Sequence, residues 1–271
     1  MSFRKIIQSK EIKEKKKEFK NLIFIRNRKP CKKPKKYKLF MLYFTMKVSF
    51  VIPALNEEEG IGETIDKINI EEFKKRNMEV EIIVVDGNSK DATREIAKEK
   101  GAKVIIEPRK GYGRAYKTGL TKAEGEIIIT GDADATYPFD IAHEYVDILL
   151  KEDLDFITTN RFADLKKGAM SFKHFLGNLV LSLALRILYG IKIKDSQSGM
   201  WVIRKNAINK INIEEMADGM EFSEEIKIEM FKKLKAKEID SSLHERKGKP
   251  KIQSWKDGWN NFIYLFKKRL R

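Results

Sequence analysis

The run Ile127-Ile128-Ile129-Thr130-Gly131-Asp132-Ala133-Asp134 sets two carboxylates, one residue apart, directly behind an apolar stretch. An unbroken run of β-branched residues reads as a buried strand, and acids at its tip leave the sheet at one edge. There they can share a divalent cation, Mg2+ or Mn2+, with two phosphate oxygens of a ligand, and such a cation neutralises charge developing on a departing diphosphate. Asp is also a common turn residue, so Asp-x-Asp by itself fits a solvated turn. The buried run in front of it favours the cation.

Other polar residues also follow apolar runs. Val48–Ile52 leads into Pro53-Ala54-Leu55-Asn56-Glu57-Glu58, and Val80–Val85 leads into Asp86-Gly87-Asn88-Ser89-Lys90-Asp91. Asn56 and Asp91 read as helix caps, whereas Asp86 suits either a structural turn or a base or ribose of a nucleotide. Arg109-Lys110-Gly111-Tyr112-Gly113-Arg114-Ala115 is a basic, Gly-rich loop opening a helix, a pattern that lets backbone N–H groups approach phosphate. It lacks Gly-Lys-Ser/Thr and follows the third strand, which excludes a P-loop and argues against a dinucleotide fingerprint. His143, His174 and His244 have no metal-ligand spacing, and the single Cys31 excludes an internal disulfide and suits a reducing compartment.

The elements that must position these residues alternate. Strands are expected at Val48–Ile52, Val80–Val85, Lys103–Ile106, Glu126–Thr130 and Asp155–Thr159. Helices are expected at Glu57–Arg76, Asp91–Lys100, Gly113–Lys122 and Pro138–Lys151. Such alternation predicts an α/β fold, a mainly parallel sheet with helices on both faces, with ligands at the carboxyl ends of the strands. Beyond Asn160 the repeat weakens into a helix over Phe172–Tyr189, a turn at Asp195–Gly199, an apolar run Met200–Ile203, and helices over Glu221–Leu234 and Ser254–Leu270.

The 271 residues carry a formal net charge of +16, but residues 1–46 hold 16 Lys+Arg against 3 Asp+Glu, leaving +3 for residues 47–271. The basic part reads as a solvated or polyanion-binding extension, or as sequence upstream of a start at Met46. A nearly neutral body disfavours nucleic acid as the partner. Arg186 interrupts the longest apolar stretch, Leu176–Ile191, so no membrane-spanning helix is expected.

Taken in order, Ile-Pro-Ala-Leu-Asn-Glu, Val-Val-Asp-Gly-Asn-Ser-Lys-Asp-Ala-Thr, Gly-Tyr-Gly-Arg-Ala, Asp-Ala-Asp, Asn160-Arg161-Phe162 and Asp195-Ser196-Gln197-Ser198-Gly199 resemble family 2 glycosyltransferases. Within that family they are most similar to the dolichyl- or polyprenyl-phosphate hexosyltransferases, the branch that includes dolichol-phosphate mannose synthase. The resemblance spans about residues 47–251. It implies a GT-A fold over 47–252, inverting hexose transfer, a GDP- or UDP-hexose donor and a polyprenyl or dolichyl phosphate acceptor. It implies that Pro53, Leu55, Glu57 and Asp86 line the nucleotide pocket, with Lys110 and Ala133 in the donor-binding set. Asp132 and Asp134 would bind Mg2+ or Mn2+ with the donor diphosphate. Arg161 would stand near the phosphates, and Arg246 and Lys251 would close over the donor and meet the acceptor phosphate. The sequence departs from the family at Gly87, Thr136 and Pro250, which leaves sugar and base open.

A lipid phosphate is ionised at neutral pH and needs no strong base; a hydroxyl acceptor would need one, with Glu221, Glu224 and above all Glu225 as candidates. Two stretches bear on a membrane. In Phe172–Tyr189 a polar stripe of His174, Asn178, Ser182 and Arg186 leaves a broad apolar face, suited to core packing or to lipid. In the amphipathic helix of residues 253–271, Trp255, Trp259, Phe262, Ile263 and Phe266 share a face bordered by Lys256, Lys267, Lys268, Arg269 and Arg271, which suits a bilayer surface. The expectation is therefore a cytoplasmic protein peripheral to the membrane. Against it stand transfer to a saccharide or other hydroxyl, and nucleic-acid or lipid binding without catalysis.

Overall fold

The computed structural model describes residues 45–248 and 254–270. In chain order the elements are β1 (Met46–Ala54), α1 (Ile61–Asp66), α2 (Ile70–Lys75), β2 (Met78–Asp86), α3 (Thr93–Glu99), β3 (Lys103–Ile106), α4 (Tyr112–Lys122) and β4 (Ile127–Thr130). Then follow α5 (Ala142–Lys151), β5 (Phe156–Leu165), α6 (Phe172–Tyr189), β6 (Trp201–Arg204), α7 (Lys205–Ile208), α8 (Phe222–Lys233), β7 (Ala236–Leu243) and α9 (Ser254–Leu270).

The seven strands form one sheet in the order β3-β2-β1-β4-β6-β5-β7. Pairing is parallel except at β6, which runs against both β4 and β5. Six strands therefore point their carboxyl ends to one edge, and β6 starts from that edge. Strand order reverses between β1 and β4, and the crevice of such a switch point is where ligands of open α/β sheets bind. Glu57 follows β1 and Asp132 follows β4, so the topology brings both to this crevice.

The alternation of strand side chains splits the core across the sheet. Val48, Phe50 and Ile52 of β1 pack with Phe73, Ala97, Val146 and Leu149 on one face. Val51, the next residue of opposite parity, packs on the other face with Tyr116 and Leu120 of α4 and Phe222, Ile226 and Met230 of α8. A third, smaller cluster joins Leu181 and Leu185 of α6, Ile193, Ile228 of α8 and Leu265 of α9.

Helix α6 has the expected bounds, but of its polar stripe Ser182 faces inward, His174 and Asn178 are half-buried and Arg186 is exposed. Ser182 is buried and exchanges hydrogen bonds with Ser196, while Phe172 is 77% and Ile187 73% exposed, with Leu176, Leu179, Val180 and Leu183 exposed beside them. Core packing thus accounts for only a narrow strip of this helix. On α9, Trp259 is 63% exposed and stacks on Phe262, which packs on Phe266. The side chains of Trp255 and Lys256 lie outside what is described, as do residues 1–44 of the basic extension and Arg271. Among the described residues no helix is long and apolar enough to cross a membrane.

Other expectations are corrected. The helix expected over Glu57–Arg76 is two short helices, because Asn69 accepts the Glu72 N–H and caps a new start. Strand β5 runs on to Leu165 because β7, which the alternation did not predict, pairs with it in parallel past an irregularity between Asn160 and Asp164. Strand β7 has Ile239 and Leu243 among mostly polar residues, as an edge strand allows.

Helix α4 lies close on the sheet at Gly119. A Cβ there would come within 2.3 Å of a Val51 methyl and 3.0 Å of a Val85 methyl, both buried in the sheet. Gly119→Ala is expected to lower stability by about 1–3 kcal/mol by overpacking, despite its better helix propensity, measured as a fall in the urea midpoint at unchanged slope.

Candidate active site

Three strand-end loops interlock at the crevice. The β1 and β2 loops are laced together: Gly87 N–H donates to Ala54 O at 2.8 Å, Asn56 N–H to Ser89 Oγ at 2.8 Å, and Lys90 N–H to Asn56 Oδ1 at 2.7 Å. Asn56 is thus a cross-loop tie rather than a helix cap. Asp91 accepts from Thr93 N–H and Glu58 N–H, close to the capping role expected of it. Asp86 is fully buried and accepts from Asn88 N–H, Ser89 N–H and the Ser89 hydroxyl. Its carboxylate fixes the loop from within. Pro53 is half-buried and Leu55 exposed on the rim beside it.

The β4 loop carries the acids. Ala133 is buried against the turn after β1, where a Cβ at Gly60 would lie 2.7 Å from Ala133 O. Ala135 takes a left-handed φ of 62°, costly for a residue with a Cβ, and is held there by Thr64 Oγ1, which accepts its N–H, and Lys67 Nζ, which donates to its carbonyl. Thr136 donates its hydroxyl (2.6 Å) and N–H (3.2 Å) to Asp134 Oδ1. Asp134 Oδ2 accepts from the Arg246 guanidinium, whose other amino group donates to Glu57 Oε1 at 2.6 Å. Backbone bonds pin the loop that supplies Arg246: His244 N–H to Thr136 O at 2.9 Å and Lys247 N–H to Asp134 O at 3.0 Å.

Asp132 is partly exposed and receives a long hydrogen bond, 3.3 Å, from the Tyr112 hydroxyl. Packing strips water from its carboxyl, and the charge of Asp134 adds to this, pushing its pKa from an ordinary 3.8 up to about 7. Gly199 borders it: a Cβ there would lie 2.6 Å from the Tyr112 hydroxyl and 3.4 Å from Asp132 Oδ1. Gly199 is held by Tyr137, whose hydroxyl accepts its N–H at 2.6 Å, and by Thr130, whose hydroxyl donates to its carbonyl at 2.7 Å.

Arg161 lies under this group with its fork closed on Asp195, Nε to Oδ2 at 2.6 Å and a terminal nitrogen to Oδ1 at 2.8 Å, both residues buried. It therefore acts on Asp132 as half of an ion pair, not as a free phosphate-binding cation. The Gly-rich loop is likewise not an open phosphate cradle. Gly113 N–H and Arg114 N–H donate to the Gly219 and Asp218 carbonyls, and a Cβ at Gly111 would meet Asp218 O at 2.2 Å. Its glycines allow close packing on residues 217–219, and its arginines are matched by Glu107 and Glu214. Lys110 stands exposed ahead of them.

Glu225 is unavailable as a general base. Its Oε2 accepts from Ala217 N–H at 2.7 Å and the Tyr264 hydroxyl at 2.6 Å, and its Oε1 pairs with Lys268 Nζ at 2.8 Å, so it fastens α9 to α8. Glu224 is buried, accepts from Gln197 Nε2 at 2.7 Å, and is pushed up to about 8 by burial. Lys251 lies outside the described residues. Tyr112, Thr136, Tyr137 and Gly199 belong to the site; Tyr112 and Gly199 lie in motifs that carry the family resemblance and Thr136 is a departure from it, whereas Tyr137, a lone Tyr, carries no sequence signal.

The residues matched by a family model now coincide with this crevice: the description Glycosyl transferase family 2 applies to residues 49–211. The chain belongs to that family. This glycosyltransferase is 34% identical over 221 residues to the low-salt glycan biosynthesis hexosyltransferase Agl6 of Haloferax volcanii, covering 80% of the chain but 52% of that relative, about half its length. It is 27% identical to a dolichyl-phosphate hexose transferase of the same organism, over 78% of the chain and 89% of that protein. It shares its fold, at TM-score 0.66 and 20% identity, with glucosyl-3-phosphoglycerate synthase from Mycobacterium tuberculosis solved with Mn2+, UDP and glucosyl-3-phosphoglycerate, covering 89% of this chain and 86% of that one. The α/β sheet of this glycosyltransferase is thus of the GT-A kind.

Because the Asp132 pKa is raised on folding, ionising Asp132 opposes folding: the cost is absent below about pH 4, grows between 4 and 7, and is complete above 7. Asp132→Asn is expected to melt a few degrees above the unsubstituted protein at pH 8 in metal-free buffer, about 1–2 kcal/mol, and level with it at pH 4. Thermal denaturation at the two pH values measures this.

Proposed function

We propose that this glycosyltransferase moves a hexose from a GDP- or UDP-linked donor to dolichyl or another polyprenyl phosphate, with Mg2+ or Mn2+, while lying on the cytoplasmic face of a membrane. The observation that carries the acceptor is the outward apolar face of α6 and the cleft beside it. This cleft, about 610 Å3, starts at Asn160 next to Arg161, runs along Phe162, Phe175, Leu179 and Leu183, and holds Arg186 and Lys194 among its lining. Asp240 also lines the cleft, 3.8 Å from Lys194, so Arg186 is the cation there with no carboxylate against it among the described residues. An apolar wall with that cation matches a molecule that is isoprenoid at one end and phosphate at the other. The relative named for dolichyl-phosphate hexose transfer supports the same reading.

The donor reading rests on the acids. Asp132 and Asp134 offer hard oxygen ligands, and among the described residues no set of three or more His, Cys, Asp or Glu side chains could hold a metal. The pair would therefore rely on donor phosphate oxygens to complete the shell, as Mg2+ commonly does with one or two carboxylates. Bound there, the cation supplies charge neutralisation for the leaving diphosphate.

The chain's residues do the rest by position. An acceptor phosphate oxygen forms the bond to the anomeric carbon while the bond to the diphosphate oxygen breaks, and the nucleoside diphosphate leaves with the electron pair. No proton has to move, which agrees with Glu225 being bound up in a structural anchor. Arg246, and Lys251 beyond it, would stabilise the gathered negative charge. Pro53 and Leu55 shape the rim for the nucleotide, and Asp86 holds the loop behind it.

Two measurements test this reading. With a short polyprenyl phosphate and a panel of GDP- and UDP-sugars, transfer should require Mg2+ or Mn2+, stop on chelation, and fall at least about 100-fold in Asp134→Ala. Transfer that survives that substitution would remove the acids from the mechanism. On α6, Leu183→Glu with Ile187→Glu should abolish sedimentation with phospholipid vesicles and leave the melting temperature within about a degree, since both side chains face outward. Undiminished sedimentation would take this face out of membrane binding.

A further inference from the structure

Arg246 occupies the oxygen that a cation would use. Thr136 turns Asp134 Oδ1 inward with two hydrogen bonds, so Oδ2 is the oxygen presented to the crevice, and there the Arg246 guanidinium sits. The other end of the guanidinium rests on Glu57 at 2.6 Å. Backbone hydrogen bonds at His244 and Lys247 hold the loop in this position from both sides. The seat is incomplete, however: Arg246 Nε is buried with no hydrogen-bond partner among the described residues. A guanidinium with one N–H unmatched is held less firmly than a fully paired one and gains by moving to an anion that satisfies it.

We infer that Arg246 is a displaceable counter-ion of the acid pair, competing with the divalent cation for Asp134 Oδ2 until a diphosphate arrives to receive it. The inference builds on the metal and donor reading above and adds a consequence that reading does not contain. A cation binding alone must eject Arg246 from Asp134 and leave its guanidinium with Glu57 alone. A cation arriving with a diphosphate ejects Arg246 onto new negative oxygens. Metal and nucleoside diphosphate therefore tighten each other's binding, and Arg246 carries the coupling. Arg246 is in this respect a positioning residue for the metal, apart from any contact with the phosphates.

The test is Mn2+ binding to the full-length protein, followed by the loss of the free-ion electron paramagnetic resonance signal, with and without UDP or GDP and with no transfer assayed. The unsubstituted protein should bind Mn2+ weakly alone and at least about tenfold more tightly with the preferred diphosphate. Arg246→Gln should bind Mn2+ alone about tenfold more tightly and lose most of the gain from diphosphate. Lys247→Gln removes a neighbouring charge whose side chain pairs with Glu63 and not with Asp134, and should change neither quantity by more than about twofold. Arg246→Lys keeps the charge and supports folding without the two-carboxylate bridge, and should fall between. Equal Mn2+ affinity in Arg246→Gln and the unsubstituted protein, both well folded and both sensitive to Asp134→Ala, would overturn the competition and leave the metal reading intact. Equal gains in Arg246→Gln and Lys247→Gln would reduce the effect to general electrostatics and overturn it too. Mn2+ binding by none of the proteins, with or without diphosphate, would bring down the metal reading itself.

Discussion

Two carboxylates at a buried strand end repel each other and are stripped of the water that would stabilise them. The surrounding structure can be understood as the answer to that problem. Asp134 is compensated directly by Arg246 and by two bonds from Thr136. Asp132 keeps a long hydroxyl contact from Tyr112 and the fields of Arg246 and of an Arg161 already matched to Asp195. The compensation is unequal, and the inequality leaves Asp132 as the less satisfied member of the pair. A site whose acids were each fully matched from within would have little to gain from a cation and a diphosphate. The left-handed Ala135 is a related case, since a residue with a Cβ keeps that conformation only because Thr64 and Lys67 hold both sides of its peptide.

The loop Asp195–Gly199 connects this centre to the helices that present apolar surface. Asp195 grips Arg161, and Gly199 lies against Tyr112 and Asp132. In between, Ser196 bonds to Ser182 of α6, and Gln197 accepts from Asn261 of α9 and donates to Glu224 of α8. Lys227, buried under the loop, donates to the Ser196 and Ser198 carbonyls, both at 2.7 Å, and sits over the Trp201 ring. Burial holds the ammonium down to about 7. The acids and the outward-facing helices are thus fastened to the same five residues.

Much of this was legible in the sequence, and what was missed has identifiable causes. The apolar runs behind Pro53, Asp86 and Asp132 gave the strands and the edge where ligands gather, because burial of a parallel strand on both faces leaves an unbroken hydrophobic signal. Strand β7 left no such signal, since an edge strand with one neighbour can be mostly polar. The periodicity of α6 fixed its bounds but not which face turned inward. That depended on Ser182 finding Ser196, a tertiary contact with no local trace. Glu225 matched a family position, yet its partners Tyr264 and Lys268 come some forty residues later and take up both oxygens. The glycines of the Arg109–Ala115 loop were seen correctly as sites of close approach. What approaches is the backbone of residues 217–219 rather than phosphate.

The position of β7 also governs how the molecule can be made. Strand β5 ends at Leu165, but the strand that covers its open edge begins at Ala236, and Arg246 follows only after that strand. During synthesis at ordinary rates the edge of β5 therefore waits roughly 4 to 14 seconds for its partner, with the apolar flank of α6 already outside the ribosome. Until then Asp134 and Glu57 lack their shared guanidinium, so a nascent chain has the acid pair before it has the counter-charge. A growing polypeptide with an unpaired edge and an uncovered apolar helix is a natural client for a chaperone, or for a bilayer close to the ribosome.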